Sequence, residues 1–119
     1  MESYKELKVW QKAMILVKEI YSVVKLLPRE EQFALSEQMR RSAVSIPSNI
    51  AEGFGRNSKN DYVRFLNITK SSSYELETQL YICVMLKYVS KEQTQTALAL
   101  TDEIGKMLST LAKTIVPND

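Results

Sequence analysis

The chain of 119 residues contains no histidine. The commonest general base and the commonest metal ligand are therefore missing. There is one cysteine, Cys83, so no internal disulfide forms. It lies in the apolar run Leu80 to Leu86 and reads as a small buried hydrophobe rather than a nucleophile, in keeping with a reducing cytoplasm. Glycine and proline number three each, which leaves few turns and predicts few, long elements. No apolar run approaches the length of a membrane span, so no membrane association is expected. Residues 1–6 do not lead into the apolar segment of a signal peptide. No cysteine cluster, Gly-rich phosphate loop or Glu-x-x-His pattern occurs, and Gly53-Phe54-Gly55 lacks both the third glycine and the preceding strand of a dinucleotide fingerprint. Neither a cofactor, nor a metal, nor a catalytic residue is expected.

What is present is helical periodicity. Apolar residues make up 45% of the chain, and no stretch alternates in the manner of a strand. Steps of three and four predict four helices over residues 7–27, 30–54, 59–87 and 91–116 in a single domain spanning 1–119. Pro28 and Pro117 mark helix ends. Ser58 is an N-cap, and Ser90 with Gln93 forms a capping-box pattern. Gly53 and Gly55 are expected to close the second helix in the left-handed conformation. Pro47 lies inside that helix, removes a donor and is expected to kink it or split it. Short connections make successive helices antiparallel neighbours, so the expected architecture is an all-α, up-down-up-down four-helix bundle with a kinked second helix. Ala13 to Val17 and Leu80 to Leu86 are apolar all round, more than one bundle core needs. The surplus is read either as contact with another subunit or as scattered surface hydrophobicity.

Two groups of polar residues stand out. Between residues 40 and 70 the bases are Arg40, Arg41, Arg56, Lys59, Arg64 and Lys70, and the acids are Glu52 and Asp61, giving six minus two, or +4. The whole chain carries +2, so the remainder is −2. For one copy the plain reading is solvated helix faces; for several copies in a ring it is an anion-binding surface. Tyr62 and Phe65 lie nearby, at spacings that fit core positions better than base-stacking ones. The second group is Ser42, Ser45, Asn49, Glu52, Ser72 and Glu75, which antiparallel packing could join in an interior polar network. Glu52 and Glu75 are the one carboxylate pair worth considering for acid/base work. A structural network that sets helix register is the simpler role, and a ligand or ion pocket the third. Ser71, Ser72 and Ser73 are small enough to allow close helix approach.

Leu7-Lys8-Val9-Trp10-Gln11-Lys12-Ala13, then Gln38-Met39-Arg40-Arg41-Ser42-Ala43-Val44-Ser45-Ile46-Pro47-Ser48-Asn49-Ile50-Ala51-Glu52-Gly53, then Tyr74-Glu75-Leu76-Glu77-Thr78-Gln79-Leu80 run in order along nearly the whole chain. In these segments the sequence resembles the bacterial four-helix-bundle family encoded in intervening sequences of 23S rRNA genes, whose members are often labelled ribosomal proteins. It departs from the family pattern at Ser71, where glycine is expected. The resemblance implies an antiparallel bundle that assembles as a homo-oligomeric ring, a pentamer. It carries over no catalytic residue. A related branch is similar to the accessory protein of diversity-generating retroelements, a basic pentameric barrel that binds nucleic acid and a reverse transcriptase. By position this makes Arg40, Arg41, Arg56, Lys59 and Arg64 the candidates for contact with RNA or another nucleic acid. The rival expectation is a ring that serves as a protein-interaction scaffold.

Overall fold

A computed structural model describes residues 1–115. A one-turn 3-10 helix at Tyr4–Glu6 precedes α1 (Lys8–Val24), and another at Arg29–Glu31 precedes α2 (Leu35–Phe54); α3 (Lys59–Met85) and α4 (Lys91–Thr114) follow. No strand occurs among the described residues. Each helix packs on its chain neighbours, and α4 also packs on α1, whereas α1 and α3 stand at diagonal corners, as do α2 and α4. This is the expected antiparallel bundle, 47 Å long and 24 Å across. Its core takes Leu16 and Ile20 from α1, Met39, Ile46 and Ile50 from α2, Leu66, Leu76 and Leu80 from α3, and Ile104 and Leu108 from α4, all essentially without exposure. No described helix is long and apolar enough to cross a membrane.

The helix starts follow local chemistry. Ser58 Oγ accepts the Asp61 amide at 3.0 Å. Ser90 and Gln93 exchange both bonds of a capping box. The ends depart from the expected bounds for identifiable reasons. Past Val24 the backbone tightens to bonds three residues apart, Leu26 to Val23 and Leu27 to Val24, so α1 stops before Pro28. Residues 29–31 form a separate turn, and Ala34 (φ −121°, ψ −102°) delays α2 to Leu35. Glu31 ties this connection down by accepting the Leu35 amide and the Tyr88 hydroxyl at 2.7 Å. This hydrogen bond to Glu31 holds the Tyr88 hydroxyl pKa above the ordinary value. The expected stop at Pro117 lies outside the described residues.

Two backbone expectations are corrected. No glycine has positive φ, and Gly55 closes α2 at φ −82°. The left-handed residue is Lys87, at φ 64°. Lys87 N–H donates to Val84 O and Tyr88 N–H to Cys83 O, the paired bonds of a Schellman ending, built on a residue that dislikes this conformation. Lys87→Gly should therefore stabilise the fold by about 1 kcal/mol, read as a higher urea midpoint at unchanged slope.

α2 runs through Pro47 as one element, so the split is not seen; continuity alone does not establish a kink. Pro47 leaves Ala43 O without its usual amide donor. Around it, Ser45 Oγ donates to Ser42 O, Ser48 Oγ to Val44 O and Asn49 Nδ2 to Ser45 O, each at 2.8 Å. The polar residues beside the proline thus bond back into their own helix.

Cys83 is fully buried, with Sγ 3.5 Å from Met39 Sδ. Burial pushes its thiol from 9.0 to about 11. Below pH 9 the thiol is protonated in both folded and unfolded chains, and its contribution is fully present. Above that the unfolded chain ionises first, so stability falls as pH rises towards 11, by roughly 2–3 kcal/mol at full extent. Urea midpoints between pH 8 and 11 should show this fall, and Cys83→Val should shrink it.

Candidate nucleic-acid interface

The six candidate bases do not converge in one copy. Arg40 and Arg41 lie in the second turn of α2. Arg40 Nη2 donates to Gln32 O at 3.2 Å, and Arg41 Nη2 to Glu37 Oε1 at 3.2 Å. Arg56 lies about 22 Å further along the bundle, fifteen residues at 1.5 Å each. Lys70 faces α4, where Nζ donates to Ser109 Oγ at 2.9 Å. The chain thus brings together two of the six, Arg56 and Arg64, over the Phe65 ring where α2 turns into α3, and Lys59 follows in the first turn of α3.

That cluster is built on Phe65. Gly53 lets α3 approach so closely that a Cβ placed there would lie 2.8 Å from Phe65 Cβ and 3.3 Å from Tyr62 Cδ1. The buried Phe65 ring then carries two guanidinium groups, Arg56 at 4.5 Å and Arg64 at 4.7 Å from its centroid. Such contacts fix a guanidinium while leaving donors for an anion. Each arginine has a carboxylate beside it, Glu52 at 3.7 Å from Arg56 and Asp61 at 3.1 Å from Arg64. These pairs are largely exposed, and exposed pairs contribute only about 0–1 kcal/mol, so a phosphate displaces them at little cost. Lys59 is exposed on the first turn of α3. Phe65 itself is covered by the guanidinium groups, and Tyr62 packs edge-on to Phe54 at 6.2 Å, where burial raises its hydroxyl pKa. The Phe65 ring therefore offers no open face for a base.

The expected polar network divides. Ser42 Oγ donates to Glu75 Oε1 at 2.6 Å and so joins α2 to α3. Ser45 and Asn49 bond within α2, and Ser72 lines the same groove as Ser42 and Glu75. Glu52 sits elsewhere, exposed beside Arg56. Ser42, level with Glu75, is ten residues and about 15 Å from Glu52. The two carboxylates therefore do not share a site, and the acid/base pairing loses its geometric basis. Ser71 is exposed, Ser72 half-buried and Ser73 buried, so the departure at Ser71 does not touch the tight helix contact, which falls at Gly53.

The surface has a second feature. Leu26, Phe33, Met85 and Leu86 are exposed at the end of the bundle opposite Arg56, Phe33 by 82%. The exposure extends along α1 at Met14, Ile15 and Tyr21 and along α3 at Tyr74 and Tyr81. The apolar strips of α1 and α3 thus lie on diagonal corners.

Comparison with known proteins agrees with this architecture. The family model described as 23S rRNA-intervening sequence protein matches residues 5–110. No curated protein matches the chain. Among solved structures, a protein of unknown function from the S23 ribosomal protein family of Bacteroides thetaiotaomicron, known from a 1.70 Å crystal structure, is similar at 30% identity and a TM-score of 0.81. The match covers 88% of this chain and 98% of that one. A helical bundle with this sequence over nearly its full length belongs to the 23S rRNA-intervening sequence protein family.

Proposed function

We propose that the chain is a self-associating, non-catalytic helical bundle that binds RNA or another nucleic acid through Arg56, Lys59 and Arg64, with Arg40, Arg41 and Lys70 as flanking contacts. The observation that carries this is the opposition of the two ends. The exposed apolar residues Leu26, Phe33, Met85 and Leu86 lie at one end, and the paired guanidinium groups on Phe65 at the other. Association through the apolar surfaces leaves the basic end open. In a ring of parallel copies it also sets the basic ends side by side, multiplying a field that one copy holds only weakly. The diagonal apolar strips suit such head-to-tail closure, in which two different faces meet. Charge supports the match: Lys18, Glu19 and Lys25 beside the α1 strip sum to +1, whereas residues 71–85 of α3 carry Glu75 and Glu77 and no base.

Fluorescence anisotropy with labelled single-stranded RNA tests this reading. Affinity should fall linearly in log–log form as salt rises, and the triple variant R56A/K59A/R64A should bind at least ~100-fold more weakly, with a shallower salt slope. Equal binding by the triple variant, or no binding at low salt, would contradict it. The scaffold reading is favoured by a different observation: Arg41, Arg56 and Arg64 already have carboxylate partners. It predicts no RNA retention and a protein partner that survives high salt.

A further inference from the structure

Between α2 and α3, well below the basic end, a groove of about 480 Å³ is lined by Gln38, Arg41, Ser42 and Ser45 on α2 and by Ser72, Glu75 and Gln79 on α3. Ser72, Glu75 and Gln79 follow one another at spacings of three and four, so they share one face of α3. Their hydrogen-bonding capacity is unbalanced. The Ser42 proton goes to Glu75 Oε1, the Ser45 proton goes to Ser42 O, and Arg41 is held by Glu37. Arg41, Gln38 and Ser72 also bring donors to the lining, but none reaches the amide oxygen of Gln79, and Glu75 keeps a second acceptor oxygen. Gln79 is only 6% exposed, and its Oε1 has no hydrogen-bond partner among the described residues. A buried amide oxygen without a donor is costly, and native structures rarely leave one so.

A carboxylate and an unmet carbonyl on one face of α3 suit a ligand that carries N–H donors and positive charge. We infer that it binds a guanidinium group, which donates to the free oxygen of Glu75 and to Gln79 Oε1. A guanidinium presents five donors in a rigid planar fork, suited to two acceptors one helical turn apart. The volume accommodates such a group with an aliphatic stem. Arg41, on the opposite wall, would meet the carboxylate of a zwitterionic ligand. The site is remote from the Phe65 cluster, and Glu75 and Gln79, which carry the inference, have no part in the nucleic-acid reading.

The test is a titration of the isotope-labelled full chain, followed by NMR at the Gln79 side-chain amide and the residue 72–79 backbone. The probes are agmatine, L-arginine and a capped Gly-Arg-Gly peptide, with putrescine as the ammonium control. Saturable shifts are expected with the guanidinium probes and weaker ones with putrescine. Glu75→Gln should weaken binding about tenfold or more, and Gln79→Leu should abolish the shifts at unchanged helicity. If Gln79→Leu does not fold, Glu75→Gln and Gln79→Met carry the test. Tightest binding of the peptide assigns the guanidinium to a partner's arginine side chain, and equal binding of agmatine assigns it to a free small molecule. The inference is overturned if no guanidinium probe gives a saturable shift at millimolar concentration, or if Glu75→Gln binds as well as the unaltered chain. A crystal structure in which a single water satisfies Gln79 Oε1, with no such shift, overturns it too.

Discussion

Gly53→Ala should destabilise the bundle, and Gly105→Ala should stabilise it, although both replace a glycine inside a helix. On propensity alone each change is favourable by about 0.8–1 kcal/mol, because alanine loses less backbone freedom on folding. At Gly105 that gain stands unopposed, since an added methyl meets nothing within 4 Å. At Gly53 the methyl would lie 2.8 Å from Phe65 Cβ, an atom tied to the α3 backbone and unable to swing aside. Either α2 and α3 separate or Phe65 moves, and overpacking of this kind costs typically 1–3 kcal/mol. The clash outweighs the propensity, and Gly53→Val adds branching to it. Urea denaturation followed by circular dichroism reads both signs. Because Phe65 supports Arg56 and Arg64, Gly53→Ala should also weaken nucleic-acid binding, whereas Gly105→Ala should leave it alone.

The second large effect concerns assembly. Tyr81 and Met85 are 58% and 68% exposed on α3 and bury little within one copy. Tyr81→Glu with Met85→Glu should therefore keep the helical signal while breaking association. Full burial of one such side chain stabilises by roughly 1.5–3 kcal/mol, and a buried charge in its place costs more. Two replacements per contact weaken it by at least ~1,000-fold. The basic residues are untouched, so loss of RNA binding in this variant would show that affinity depends on gathering several copies. Retained RNA binding by a single copy would separate the two halves of the proposal.

The sequence disclosed the architecture because burial imposes a repeat that can be read directly, as from Leu76 to Leu80 and Cys83. It disclosed the starts of α3 and α4 because Ser58, Ser90 and Gln93 act on amides three residues away. It misled where an outcome depended on distant packing. Gly53 resembles a terminator, but its role is set by Phe65, twelve positions on. Lys87 takes the left-handed position that glycine usually fills, and nothing in its chemistry announces this. Ser45 and Asn49 suggested a network across helices, yet both satisfy carbonyls in their own helix. The basic cluster was half legible: charge density in residues 40–70 was plain, but which bases meet depends on helix height and rotation. Arg40 lies in the second turn of α2 and Arg56 two residues past its end, so they occupy different levels of the bundle. Gln79 left no sign in the sequence, since an unmet acceptor is defined by what fails to reach it.

The account rests on copies of the chain covering one another's apolar surfaces and thereby collecting their basic ends. Sedimentation velocity across a wide dilution series tests this most directly. It should show a discrete particle of several 13.7 kDa chains, a pentamer if the family's ring is formed, persisting at low concentration. A stable 13.7 kDa monomer at every concentration would contradict it.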